Sequence, residues 1–198
     1  MGDSVTLAIW TILACNSELS IDDMLDASEY PSTSPAEAPL RRISASQYER
    51  SIRAVFNDDL DNPELVVPRI AEPDVVSHGL QAVGASESSF SSRGIESIEQ
   101  ASYAIAHQIT ESDSWVTRSL PCDPSLAQGC FDKIAQTVGK KMWRRDLSQT
   151  EVERLTAIAA AAANTLDNPR AGAAFLLSAL IQSPHFWYRN EGRGGQLS

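Results

Sequence analysis

Residues 148–182, SQTEVERLTAIAAAAANTLDNPRAGAAFLLSALIQ, decide the fold class. Ser148-Gln149-Thr150-Glu151 is a capping box, in which the Ser and Glu side chains each accept from a backbone N–H that the first helical turn leaves unpaired. The helix it opens runs through Val152, Leu155, Ile158 and Ala162, a spacing that gathers apolar side chains on one face. Asn164 to Asn168 end it. Pro169 then sits at a helix first-turn position, where its missing N–H removes no bond. Phe175, Leu176, Leu180 and Ile181 make the next helix strongly apolar, and it stops before Pro184.

Upstream the same period recurs. A helix is expected from about Ser125 to Arg145, with Leu126, Phe131, Ile134, Val138 and Met142 buried. Its last turn carries Lys140, Lys141, Arg144 and Arg145, well placed against the negative end of a helix dipole. Another is expected from about Ile95 to Thr110 on Ile98, Ile105 and Ile109. Ser44 and Gln47 form a further capping box ahead of Tyr48, Ile52, Val55 and Phe56, and Asn57-Asp58-Asp59 with Pro63 stop that helix. Residues 60–94, broken by Pro63, Pro68, Pro73, Gly79 and Gly84, read as one long loop with a helical turn near Leu80 to Val83. No stretch alternates as a strand does. The expected class is all-α: an irregular bundle of about five helices with a long Pro/Gly/Ser-rich loop.

Charge divides the chain of 198 residues. It holds 26 acids and 16 bases, a net of −10, and its first base is Arg41. Residues 1–40 therefore contribute seven acids and no base, and residues 41–198 are nearly balanced at −3. An acid excess argues against general nucleic-acid binding, which needs concentrated basic surface. No apolar run reaches the ~20 residues of a membrane-spanning helix. The composition also excludes collagen-like, coiled-coil and knottin-like chains.

Val5 to Ala14 is a short apolar stretch ending at Cys15. It resembles a secretory signal core, and Ile12-Leu13-Ala14-Cys15 resembles the lipobox of bacterial lipoproteins. That resemblance implies cleavage before Cys15 and a diacylglycerol on its thiol. Met1 to Ser4 carry no base, unlike most signal n-regions. Plain secretion and a buried N-terminal helix with a core Cys are the alternatives. Asn16 to Pro39, rich in Ser, Pro and acids, reads as an extended, self-repelling tether.

Three phrases carry a family resemblance. They are Leu40 to Phe56 (LRRISASQYERSIRAVF), with Ser77-His78-Gly79-Leu80 resembling a later turn of the same module, then Gly139 to Val152 (GKKMWRRDLSQTEV), then Leu180-Ile181-Gln182-Ser183-Pro184-His185-Phe186-Trp187-Tyr188-Arg189. In this order they resemble the opening modules of large exported proteins of planctomycetes and myxobacteria. Those modules have unknown function, and many members also carry a cytochrome-c-like segment. The resemblance implies a first helical module over 40–120 and a second over 121–190. Residues 1–14 are then a signal, 15–39 anchor site and tether, and 191–198 a tail or the truncated start of a third module. It also implies an envelope protein, periplasmic or on the outer surface, with other modules or a cytochrome-like protein as partners.

Chemistry is sparse. Covalent haem attachment needs Cys-x-x-Cys-His, absent from this sequence, as are Gly-x-Ser-x-Gly and a phosphate-cradling Gly loop. No catalytic residue, metal site or cofactor is assigned. Cys122 and Cys130 flank a turn-rich span; in an exported chain they read as a disulfide, with free thiols and a metal site as alternatives. His78, His107 and His185 lie far apart in sequence. Lys140 to Arg145 reads first as a solvated helix end and second as a seat for an anionic partner. Phe186-Trp187-Tyr188 is the candidate interface for missing modules, and Trp115, Trp143, Trp187 and Tyr188 admit sugar stacking. The leading functional expectation is a non-catalytic, lipid-anchored binding or scaffold module. Its rivals are a subunit of an envelope redox system and a polysaccharide-associated accessory protein.

Overall fold

The computed structural model describes residues 40–72, 79–80, 89–126 and 129–190. The signal, Cys15, the tether, His78, most of the turn read at Leu80 to Val83, and the 191–198 tail lie outside these. Residues 37–198 belong to one compact unit.

The elements in chain order are β1 (Leu40–Arg42), α1 (Ala45–Val55), α2 (Ser92–Glu111), α3 (Asp113–Ser119), α4 (Cys130–Trp143), α5 (Gln149–Leu166), α6 (Pro169–Gln182), α7 (Pro184–Trp187) and β2 (Tyr188–Asn190). The class is all-α, as the sequence predicts, with seven helices among the described residues rather than about five. Both capping boxes form. The Ser44 hydroxyl accepts from Gln47 N–H and the Gln47 amide oxygen accepts from Ser44 N–H at 3.0 Å; Ser148 and Glu151 repeat the pattern. Asn168 caps α6, its side-chain oxygen accepting from the Arg170 and Ala171 N–H groups.

The most buried helix is α6. Ala173, Leu176, Leu177, Leu180 and Ile181 have no solvent exposure, and α6 packs chiefly against α5 and α2. Burying each large aliphatic side chain contributes about 1.5–3 kcal/mol relative to exposure. The buried apolar side chains form one cluster that draws on both sides of residue 120, from Ile43 to Trp187. The two sequence segments therefore share a core. At Gly172 two helices approach so closely that a Cβ would lie 2.5 Å from the Ala159 carbonyl oxygen and 2.8 Å from Ala163 Cβ.

Irregular chain after α1 is held by side chains rather than by secondary structure. Buried Asp58 pairs with Arg53 and accepts from the Glu64 and Leu65 N–H groups, and Arg53 donates to the Leu65 carbonyl at 2.8 Å. Gln108 on α2 bonds both the N–H and the C=O of Val66, each at 2.9 Å.

Four sequence expectations change. α4 starts at Cys130 rather than near Ser125, because Asp123 accepts from Ser125 N–H in a turn and Gly129 enters the helix at φ 69°. Leu126, expected in the core, is consequently 86% exposed. Ile158 is 43% exposed, because Val152, Leu155 and Ala159 already fill the inner face of α5; Phe175, on α6, is 38% exposed with its ring edge-on to Tyr103. Finally, where no strand was expected, β1 and β2 pair antiparallel in the register Leu40↔Asn190, Arg41↔Arg189 and Arg42↔Tyr188. Three-residue strands are too short to show alternation.

Candidate functional site

Two regions carry the chemistry that the sequence singles out. The first is the bridge. Cys122 and Cys130, eight positions apart in sequence, form a disulfide with Cα atoms 5.9 Å apart at the start of α4. In the chain-entropy account so short a loop contributes about 2–3 kcal/mol. Arg170 reinforces the same end of the molecule, contacting both Asp113 and Asp123 at 2.7 Å. Its hydrogen bond holds the Asp123 carboxyl below the ordinary carboxylate range. A groove of about 370 Å³ runs beside the bridge, between Leu126, Phe131 and the Ala160–Ala163 face of α5.

The second is the corner where α4 ends against α7 and the ribbon. Pro184 begins the single turn of α7, capped by the Ser183 hydroxyl. This turn drives Phe186 and Trp187 inward, to 0% and 4% exposure. Trp187 stacks on Tyr48 at 5.0 Å and donates its indole N–H to the Ile181 carbonyl at 2.7 Å; Phe186 meets Tyr48 edge-on at 6.3 Å. The expected interface on Phe186-Trp187-Tyr188 is corrected here. Two of its rings are spent in this chain's own core, and Tyr188 is half-buried against Phe90. Burial pushes the Tyr48 phenol well above its ordinary pKa.

Around this aromatic floor lie the bases. Arg144, in a left-handed turn at φ 57°, donates to the Phe186 carbonyl at 2.8 Å. Burial, and then the nearby Arg189 charge, lower its pKa. Arg145 lies 5.3 Å over the Trp143 ring and pairs with Glu151 at 2.7 Å. That hydrogen bond, followed by those from Ser148, holds the Glu151 carboxyl down to about 2. Lys140 pairs with Asp146 at 2.7 Å. His185 lies 4.8 Å from the Trp143 ring, with Nε2 3.7 Å from Glu151.

His107 is elsewhere, exposed on α2 and paired with Glu111. Among the described residues no three His, Cys, Asp or Glu side chains gather as a metal site would require, and no helix is long and apolar enough to cross a membrane. Sequence reasoning found the Lys140–Arg145 run and missed Arg41 and Arg189. Their juxtaposition depends on strand register, which three residues do not announce.

Residues 130–191, about a third of the chain, match the family model PSD5, described as a protein of unknown function (DUF1595). This agrees with kinship to multi-module proteins of unknown function. The match begins at the bridge cysteine that opens α4 and takes in α4 through β2. No curated protein and no solved structure matches the chain.

Proposed function

We propose that the chain is an exported, lipid-anchored module of the bacterial cell envelope that binds or scaffolds and catalyses no reaction of its own. The observation carrying this reading is the Cys122–Cys130 bridge, because disulfides persist in oxidising compartments and are rare in a reducing cytosol. The third thiol, Cys15, stands at the end of the signal-like stretch, where the lipobox resemblance calls for an anchor. Kinship with planctomycete and myxobacterial exported proteins supports the same compartment. It also suggests partners: further modules of that family, or a cytochrome-c-like protein on another chain, since no Cys-x-x-Cys-His occurs in this sequence.

Fractionation tests the reading. The wild-type chain is expected in the membrane fraction, and Cys15→Ala is expected to move it to the soluble fraction. A wild-type chain recovered from the cytoplasm in soluble form would overturn the proposal. Copurification with a haem protein would identify the redox-system version of it.

A further inference from the structure

Both cysteines of the bridge are placed by contacts that do not involve sulfur. Cys130 is the first residue of α4 and is 2% exposed. The helix behind it is fixed by Ile134, Ala135 and Val138, all buried in the core. Cys122 is fixed from the other side. Its neighbour Asp123 pairs with Arg170, which also holds Asp113, each at 2.7 Å. The Asp123 side chain accepts from Ser125 N–H at 2.9 Å, and its carbonyl accepts from Leu126 N–H at 3.1 Å. The Cα atoms lie 5.9 Å apart, a separation at which a bridge forms without backbone movement. Breaking the S–S bond removes none of these contacts, so the thiols remain neighbours and closure is intramolecular.

The two sulfurs are not equivalent. Cys122 is half-buried and Cys130 buried, so an incoming thiolate reaches Cys122 first. Exchange then requires the other sulfur to leave as a thiolate, and it leaves faster the better that thiolate is stabilised. Cys130 leaves from the first turn of a 14-residue helix, at the positive end of the dipole. No side chain caps that end, because the N-cap position is Gly129. The acid of the same turn, Asp132, is exposed and accepts from the Thr156 hydroxyl of α5 at 2.7 Å.

We propose that the Cys122–Cys130 bridge is a redox latch, opened by a partner dithiol of the kind a protein thiol oxidoreductase carries. One thiolate of the partner attacks Cys122 Sγ; the S–S bond breaks, and Cys130 leaves as a thiolate. The partner's second thiolate then attacks its own sulfur in the mixed disulfide and releases Cys122. The partner ends as a disulfide, its two electrons are in the latch, and its two thiol protons are on Cys122 and Cys130. Opening uncouples the turn at Pro124 to Leu126 from Phe131, two walls of the groove beside the bridge. The inference shares the bridge with the envelope reading and adds what acts on it.

The test uses the full chain carrying Cys15→Ser, so that no third thiol competes. In native buffer dithiothreitol should reduce the bridge completely while the helical circular dichroism persists. Amide exchange at Ser125 and Leu126 should then quicken, with Ile134 and Val138 unchanged. After brief exposure to reduced glutathione and an acid quench, peptide mapping should find the mixed disulfide on Cys122 about tenfold more often than on Cys130. Oxidised glutathione should close the bridge again, and Arg170→Gln should slow that closure several-fold without loss of helix. A bridge that yields to dithiothreitol only in denaturant overturns the proposal, and so does loss of the helices on reduction. Glutathione shared equally between the two sulfurs overturns it as well. The reduction and mapping arms need no Arg170 variant, so they decide the matter if that variant does not fold. A latch that resists reduction leaves the envelope reading standing; a working latch on a chain recovered from the cytoplasm overturns that reading and keeps this one.

Discussion

Phe186→Ala is expected to lower the free energy of unfolding by about 4 kcal/mol, the scale seen for emptied aromatic core sites. The ring has no solvent exposure and lies between Tyr48 of α1 and Trp187, at 6.3 and 5.3 Å. The cavity would open where three parts of the chain meet: α1, the end of α4 held by Arg144, and the ribbon. Neighbours are poorly placed to collapse into it. Tyr48 is already stacked on Trp187, and the Trp187 indole is tethered to the Ile181 carbonyl. Denaturant titration checks the value, with Leu126→Ala as the comparison. At 86% exposure Leu126 should cost within about 0.5 kcal/mol, the usual range for surface changes. A loss below about 1 kcal/mol at Phe186 would mean that its ring is not a core element, and the open-interface reading of the aromatic phrase would return.

Gly172→Val carries the next largest effect, about 3 kcal/mol of destabilisation. The added Cβ would meet the Ala159 carbonyl oxygen at 2.5 Å, Ala163 Cβ at 2.8 Å and Phe131 Cζ at 2.9 Å. Phe131 can swing aside, but the carbonyl belongs to the backbone of α5, so the helices themselves must separate. Helix propensity works the other way, since Gly costs about 1 kcal/mol relative to Ala in a helix interior and valine recovers only part of that. The clash therefore decides the sign. Gly172→Ala should fall between wild type and Gly172→Val. Thermal or denaturant melts of the two variants check the order, and a valine variant as stable as wild type would show that α5 and α6 do not pack this closely.

Much of the architecture was legible because local chemistry announces it. Ser44, Ser148 and Pro169 mark helix starts whatever lies around them, and each start appears within a residue of its signal. Buried stripes were legible where large side chains fill them, as Ile98, Ile105 and Ile109 do on α2. They misled where small ones do. On α5 the innermost residue after Leu155 is Ala159, not Ile158, because Gly172 lets the helix backbones approach. Leu126 was misplaced because the pattern continues through a stretch that the Asp123 turn and the bridge keep out of the helix. Of the candidate sites, the cysteine pair was readable from spacing and compartment logic. The basic corner was only half readable: i,i+4 spacing exposes the α4 charges, whereas Arg41 and Arg189 become neighbours through a ribbon that joins residues far apart in sequence.

The central claim is export with an anchor at Cys15 and a bridge between Cys122 and Cys130. Intact mass of the chain isolated from its own cells, under conditions that alkylate every free thiol, tests both at once. The expected species begins at Cys15, carries the mass of a diacylglycerol and takes up no alkyl group on Cys122 or Cys130. A chain that retains residues 1–14 with all three thiols alkylated would contradict the account.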